Sequence, residues 1–191
     1  MPPSSAAQPS TTPADVQFMQ GMIAHHAQAL VMAALVPSRT RSEDLRILAG
    51  RITISQQDEI RLMQRWLRDH HEQVPSPDLH PDSVLHPAGM RGIAMSGMAS
   101  DSAHPMLMPG MLTATQLDQL AAARGRAFDK LFLQFMIQHH RGALVMVANL
   151  FSNTGAGQDA EVFQLASGID ADQRGEITRM TKMLAARARR R

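Results

Sequence analysis

The chain contains no cysteine and no tyrosine, and its 191 residues include a single tryptophan and six phenylalanines. Without Cys there can be no disulfides, thiolate metal sites, iron–sulfur clusters, covalently attached c-type haem or thiol nucleophiles. Any soft ligand must then be methionine, of which there are 15. Thioethers also stay usable in oxidising compartments, where free thiols are lost. Aromatics are few and β-branched runs short, while the helix formers Ala, Leu, Met, Gln and Arg are abundant, so an all-α protein is expected. Charge of one sign is lacking too: 19 Lys and Arg face 17 Asp and Glu, a formal net charge of +2. The one dense basic cluster, Arg187, Arg189, Arg190 and Arg191, has no interleaved aromatics on which bases could stack, so no nucleic-acid partner is expected. No apolar run reaches the roughly 18 residues of a membrane span. The Pro/Ser/Ala-rich stretch 1–12 lacks the charged start and apolar centre of a signal peptide and reads as a disordered leader.

What is present is said twice. Asp15, Phe18, Met22, Ile23, His25, His26, Ala29 and Met32 return in the same register as Asp129, Phe132, Met136, Ile137, His139, His140, Ala143 and Met146. Two amphipathic helices share apolar positions readily, but packing alone does not ask for paired imidazoles. Thr12, Pro13 and Asp15 predict a capped helix start, and Pro37 bounds that helix, giving a span of about 13–36. A second helix follows Ser42 to about 70. The capping box Thr113-Ala-Thr-Gln116 opens a long third helix to about 151, and a fourth runs from about 159 to 188. Gln56-x-x-Glu59-Ile60-x-x-Met63 returns more weakly as Gln173-x-x-Glu176-Ile177-x-x-Met180. The expected architecture is one four-helix bundle over 13–188, made of hairpins 13–71 and 113–188 joined by a long crossover, 72–112, with a basic tail at 189–191.

Neighbouring His residues on a helix stand about 100° apart, so one of each pair points inward while the other flanks an interhelical seam. Met22 precedes His25 and His26 by three and four residues and shares their face, as Met136 does for His139 and His140. Glu59 and Glu176 offer oxygen ligands or hold imidazole tautomers from behind. In the crossover, Met90, Met95, Met98, His104, Met106, Met108 and Met111 crowd a segment too polar and Gly-rich to need core fillers. Thioether and imidazole together select Cu(I), and accept Cu(II) or Ag(I) when more nitrogen is offered. The plainer reading makes the methionines core or linker residues and the histidines an internal hydrogen-bond network. His70 and His71 fit a helix-capping role as well as ligation. Glu-x-x-His and His-Glu-x-x-His motifs, a P-loop, a dinucleotide fingerprint and a Gly-x-Ser-x-Gly elbow are all missing, while a non-covalent haem between Met and His stays open.

With those residues in view, the sequence resembles the bacterial family called domain of unknown function 305. The resemblance rests on Met22-Ile23-Ala-His25-His26-Ala-Gln-Ala29-Leu-Val-Met32, its second copy Met136 to Met146, the two Gln-x-x-Glu-Ile-x-x-Met segments and Met108-Pro-Gly-Met111. It covers about 15–184 and implies a ferritin-like four-helix fold, usually in exported or lipid-anchored proteins, some of them associated with copper binding and tolerance. The expected function is copper sequestration or trafficking in the cell envelope, periplasmic or secreted, with a metal ion and a copper-handling protein as partners. A structural or partner-binding bundle is the alternative, and a metal-dependent redox enzyme a third.

Overall fold

A computed structural model describes residues 11–76 and 107–189. His80, His86, Met90, Met95, Met98, His104 and Met106 lie outside the described residues. Among the described residues six helices follow in order: α1 (Pro13–Ala34), α2 (Val36–Arg39), α3 (Glu43–Asp69), α4 (Ala114–Ala122), α5 (Gly125–Ser152) and α6 (Ala160–Ala188). The protein is helical as expected, with no strand among the described residues. None of these helices is long and apolar enough to cross a membrane.

The start of α1 forms the predicted capping box. Thr12 Oγ1 accepts from the Asp15 amide at 3.2 Å, and the Asp15 carboxylate accepts from the Thr12 amide at 2.8 Å. Asp15 is fully buried and also accepts from the Gly157 amide at 2.7 Å, which ties this helix start to the α5–α6 turn. Its repeat mate Asp129 instead lies 3.7 Å from Arg187.

The third helix departs from expectation. Thr113 and Gln116 form their capping box, but Ala123 and Arg124 are extended and Gly125 takes φ +55°, so the expected helix divides into α4 and α5. Local propensity favours continuation through the alanines; the break folds Leu117 and Leu120 of α4 onto the core, and their burial outweighs it. Pro37 likewise opens the short α2 in addition to bounding α1.

α1 packs on α3, α5 on α6, and α1 against α5. The core falls into two apolar halves. One gathers Met32, Leu45, Leu48, Ile52, Phe128, Phe132, Met136 and Met180. The other gathers Phe18, Met19, Met22, Ile60, Met63, Trp66, Val147 and Ile169. Reading along the chain, α1 and α6 run from the second half to the first, while α3 and α5 run the opposite way. Where α1 and α5 cross, between the halves, the sequence places its four adjacent histidines.

Candidate metal centre

His25, His26, His139 and His140 are each at most 1% exposed. Their rings form a continuous row. His25 and His139 meet across the α1–α5 contact with centroids 3.9 Å apart, and each stands about one ring further from its own neighbour, 6.4 Å to His26 and 6.3 Å to His140. The outer rings turn into the flanking seams, where His26 Nε2 donates to Glu59 Oε2 of α3 at 2.6 Å and His140 Nε2 donates to Glu176 Oε2 of α6 at 2.5 Å. The order is therefore Glu59, His26, His25, His139, His140, Glu176, with one inner and one seam imidazole on each helix.

These bonds fix where lone pairs remain. A carbonyl oxygen only accepts, so the 3.0 Å contact of His25 Nε2 with Pro109 O places the proton on Nε2 and leaves Nδ1 bare in the neutral ring. In their neutral forms His26 and His140 are oriented the same way by their carboxylates. The Nδ1 atoms of His25, His26 and His140 and both ring nitrogens of His139 are buried without a hydrogen-bond partner. Burial pushes the His25 pKa down to about 3, with the neighbouring His26 adding to the effect and the Pro109 carbonyl opposing it. Burial, then His25 and His140, hold His139 well below the usual imidazole range; the nearby His25 carbonyl opposes this without forming a hydrogen bond of proper geometry. Both inner rings are accordingly neutral at pH 7, the state a metal ligand requires. Gln56 and Gln173, one turn before Glu59 and Glu176, are also buried, and neither amide atom of Gln56 nor the Gln173 oxygen has a partner.

A short strap closes the α1–α5 face. Met108-Pro109-Gly110-Met111 is a type II turn, with Pro in second place, Gly110 at φ +75° in third, and the Met111 amide donating to Met108 O at 3.1 Å. Gln28 grips the next residue through both amide atoms, 2.7 Å to Leu112 N and 3.1 Å to Leu112 O. On the other side the turn rests on bare backbone: a β-carbon at Gly142 would stand 1.9 Å from Pro109 O. Gln28 and Gly142 occupy the same place in the two repeats, so the repeat symmetry is broken where the strap lies. His25 gains a carbonyl partner there and His139 does not.

The four histidines and two glutamates named from the sequence are thus assembled. Met22 and Met136 are not brought together; they lie in opposite apolar halves, flanking the row. Met108 and Met111 sit half-buried on the strap. Among the described residues no group of three His, Asp or Glu is placed to hold a metal ion, so a preformed cage of imidazoles and carboxylates is absent there. Sequence reasoning missed Gln28, Gly142 and Met146. For the first two a signal was available, because the repeats differ there, an amide against a glycine two residues past the His pair. His70 stacks on Trp66 at 4.1 Å, and its Nδ1 donates to Trp66 O, ending α3.

A helical bundle crossed by a buried row of carboxylate-tethered imidazoles is the class this arrangement defines. The chain belongs to the family described as domain of unknown function (DUF305), whose match spans residues 15–184. It is similar to a solved DUF305 fragment from Deinococcus radiodurans, with 30% identity, 93% of this chain and 99% of that one covered, and a TM-score of 0.70. A candidate secreted DUF305 protein from Streptomyces coelicolor is 28% identical over 92% of this chain and 94% of its own, also with a TM-score of 0.70. CopM in its Cu(II)-bound form is 29% identical, with 90% and 96% covered and a TM-score of 0.65. CopM has also been solved in Cu(I)-bound and Ag-bound forms. Among curated proteins, an uncharacterised protein of Acanthamoeba polyphaga mimivirus is 39% identical over 59 residues, which is 31% of this chain and 39% of that protein.

Proposed function

We propose that this protein binds copper, foremost as Cu(I), and stores it or passes it to a copper-handling partner in the bacterial cell envelope. The observation that carries the reading is the set of five partnerless ring nitrogens in a fully buried imidazole row. A buried polar atom without a partner is costly, and the unprotonated nitrogen of a neutral imidazole is a metal ligand in waiting. Thioethers flank the row and stand on its strap, giving the soft donor set that suits Cu(I) and Ag(I). The likeness to CopM, solved with copper and silver, supports the same reading.

The residues divide the work. His25 and His139 are the inner ligands; Glu59 and Glu176 orient His26 and His140; Met22, Met136, Met108 and Met111 are the thioethers within reach of the bundle. For Met90, Met95, Met98, His104 and Met106 we keep the role of collecting ligands. A cation that binds only the folded state must stabilise it, so silver or Cu(I) at about a hundred times its dissociation constant adds about 2.7 kcal/mol, or roughly 5–10 °C in melting temperature. The doubly substituted His25→Leu, His139→Leu protein, which removes the lone pairs and keeps apolar volume, is expected to lose most of that shift. The short His26–Glu59 and His140–Glu176 bonds favour one rival, a purely structural network. That rival predicts no shift in either protein.

A further inference from the structure

We infer that Met108 and Met146 form an outer thioether site for a soft monovalent cation, Cu(I) or Ag(I), present in one half of the molecule only. The inference rests on the soft-cation reading above and names a site that reading does not contain. A β-carbon added at Gly21 would sit 3.4 Å from Met108 Sδ and 3.4 Å from the Met146 methyl. The two side chains therefore converge over the bare backbone of α1, one turn before His25. Both are half-buried, as is Gly21 beneath them.

The duplication treats the last methionine of the motif differently in its two copies, although Met146 also packs against the second apolar half. Met32, the repeat mate of Met146, is wholly buried in an apolar half, and Phe135 takes the place of Gly21. One copy of the motif thus uses its last methionine as a core filler. In the other it is only half-buried and lies beside a thioether from the strap. Met146 keeps part of its surface exposed while packing on the second apolar half, and beside Met108 over a glycine it offers the second of two soft donors. Met108 also begins the type II turn whose next carbonyl, Pro109 O, holds His25 Nε2 at 3.0 Å. A cation held by Met108 is one residue from the bond that orients the inner imidazole.

The test is a titration of the full chain, labelled with ¹³C at the methionine methyls, with silver nitrate in chloride-free buffer. The Met108 and Met146 methyl signals are expected to move with the first equivalent, together with the His25 ring nitrogen that faces Pro109. Met146→Leu and Met32→Leu are both near volume-conserving and are expected to fold. The first should abolish the early step and leave the later ones, and the second should leave the whole titration unchanged. If silver binds and shifts the histidine rings while both methyls stay still, or if the two variants behave alike, the outer site is wrong and the buried-row reading survives. If silver binds nowhere, both fall.

Discussion

Replacing Gly142 by alanine is expected to destabilise the protein by about 4 kcal/mol, roughly 10 °C in melting temperature. The new β-carbon would stand 1.9 Å from Pro109 O and 2.6 Å from Gly110 Cα, both backbone and unable to yield as a side chain would. The strap must lift, and with it go the two Gln28 bonds to Leu112 and the His25 bond to Pro109, leaving a buried amide and imidazole unpaired. Three other helical glycines make the control. Gly50, Gly168 and Gly175 have nothing within 4 Å of the position a β-carbon would take, so alanine there should stabilise by up to about 1 kcal/mol through helix propensity. Denaturant midpoints of the four variants decide the matter. A Gly142→Ala protein as stable as the other three would mean that the strap does not rest on α5.

Acid is expected to unfold the metal-free protein far more readily than its carboxylates alone would require. His25 titrates near 3 in the folded chain and near 6.5 when unfolded, and His139 is displaced in the same direction. Between those values the unfolded chain holds protons that the folded one refuses, so stability is whole above about pH 6.5 and falls as the pH drops towards 3. His25 alone removes about 2 kcal/mol between pH 7.5 and pH 5, and His139 acts in the same direction, against a typical domain stability of about 5–15 kcal/mol. Urea unfolding at those two pH values measures it. Changing His139 to leucine should weaken the dependence, and a flat profile would mean that the inner rings accept protons where they lie.

Much of this was legible in the residues. Helices, caps and the duplicated His pairs show because each rests on local chemistry: Thr12 and Asp15 satisfy free amides within one turn, and His25-His26 returns as His139-His140 at the same spacing from Met and Ile. That one histidine of each pair flanks a seam follows from helical rotation, but not which one. Other features depend on contacts distant in sequence. Near Ala123 only Gly125 hints at a break, and the reason for it is the fit of Leu117 and Leu120 on the core. Met22 and Met136 look like partners on a repeat diagram, yet the antiparallel crossing of α1 and α5 sends them to opposite halves. The strap is written in Gln28 and Gly142, residues whose meaning appears only when a segment more than eighty positions from Gln28 is laid across them.

The central claim is that the inner imidazoles are neutral, bonded through one nitrogen or none, and able to take a soft cation. Long-range ¹H–¹⁵N correlation of the histidine rings at pH 7, before and after Ag(I), tests it most directly. The account predicts that His25 carries its proton on Nε2 with Nδ1 bare, and that silver moves His25 Nδ1 and a ring nitrogen of His139. Rings that are doubly protonated without metal, or that keep their shifts when silver is bound, would contradict it.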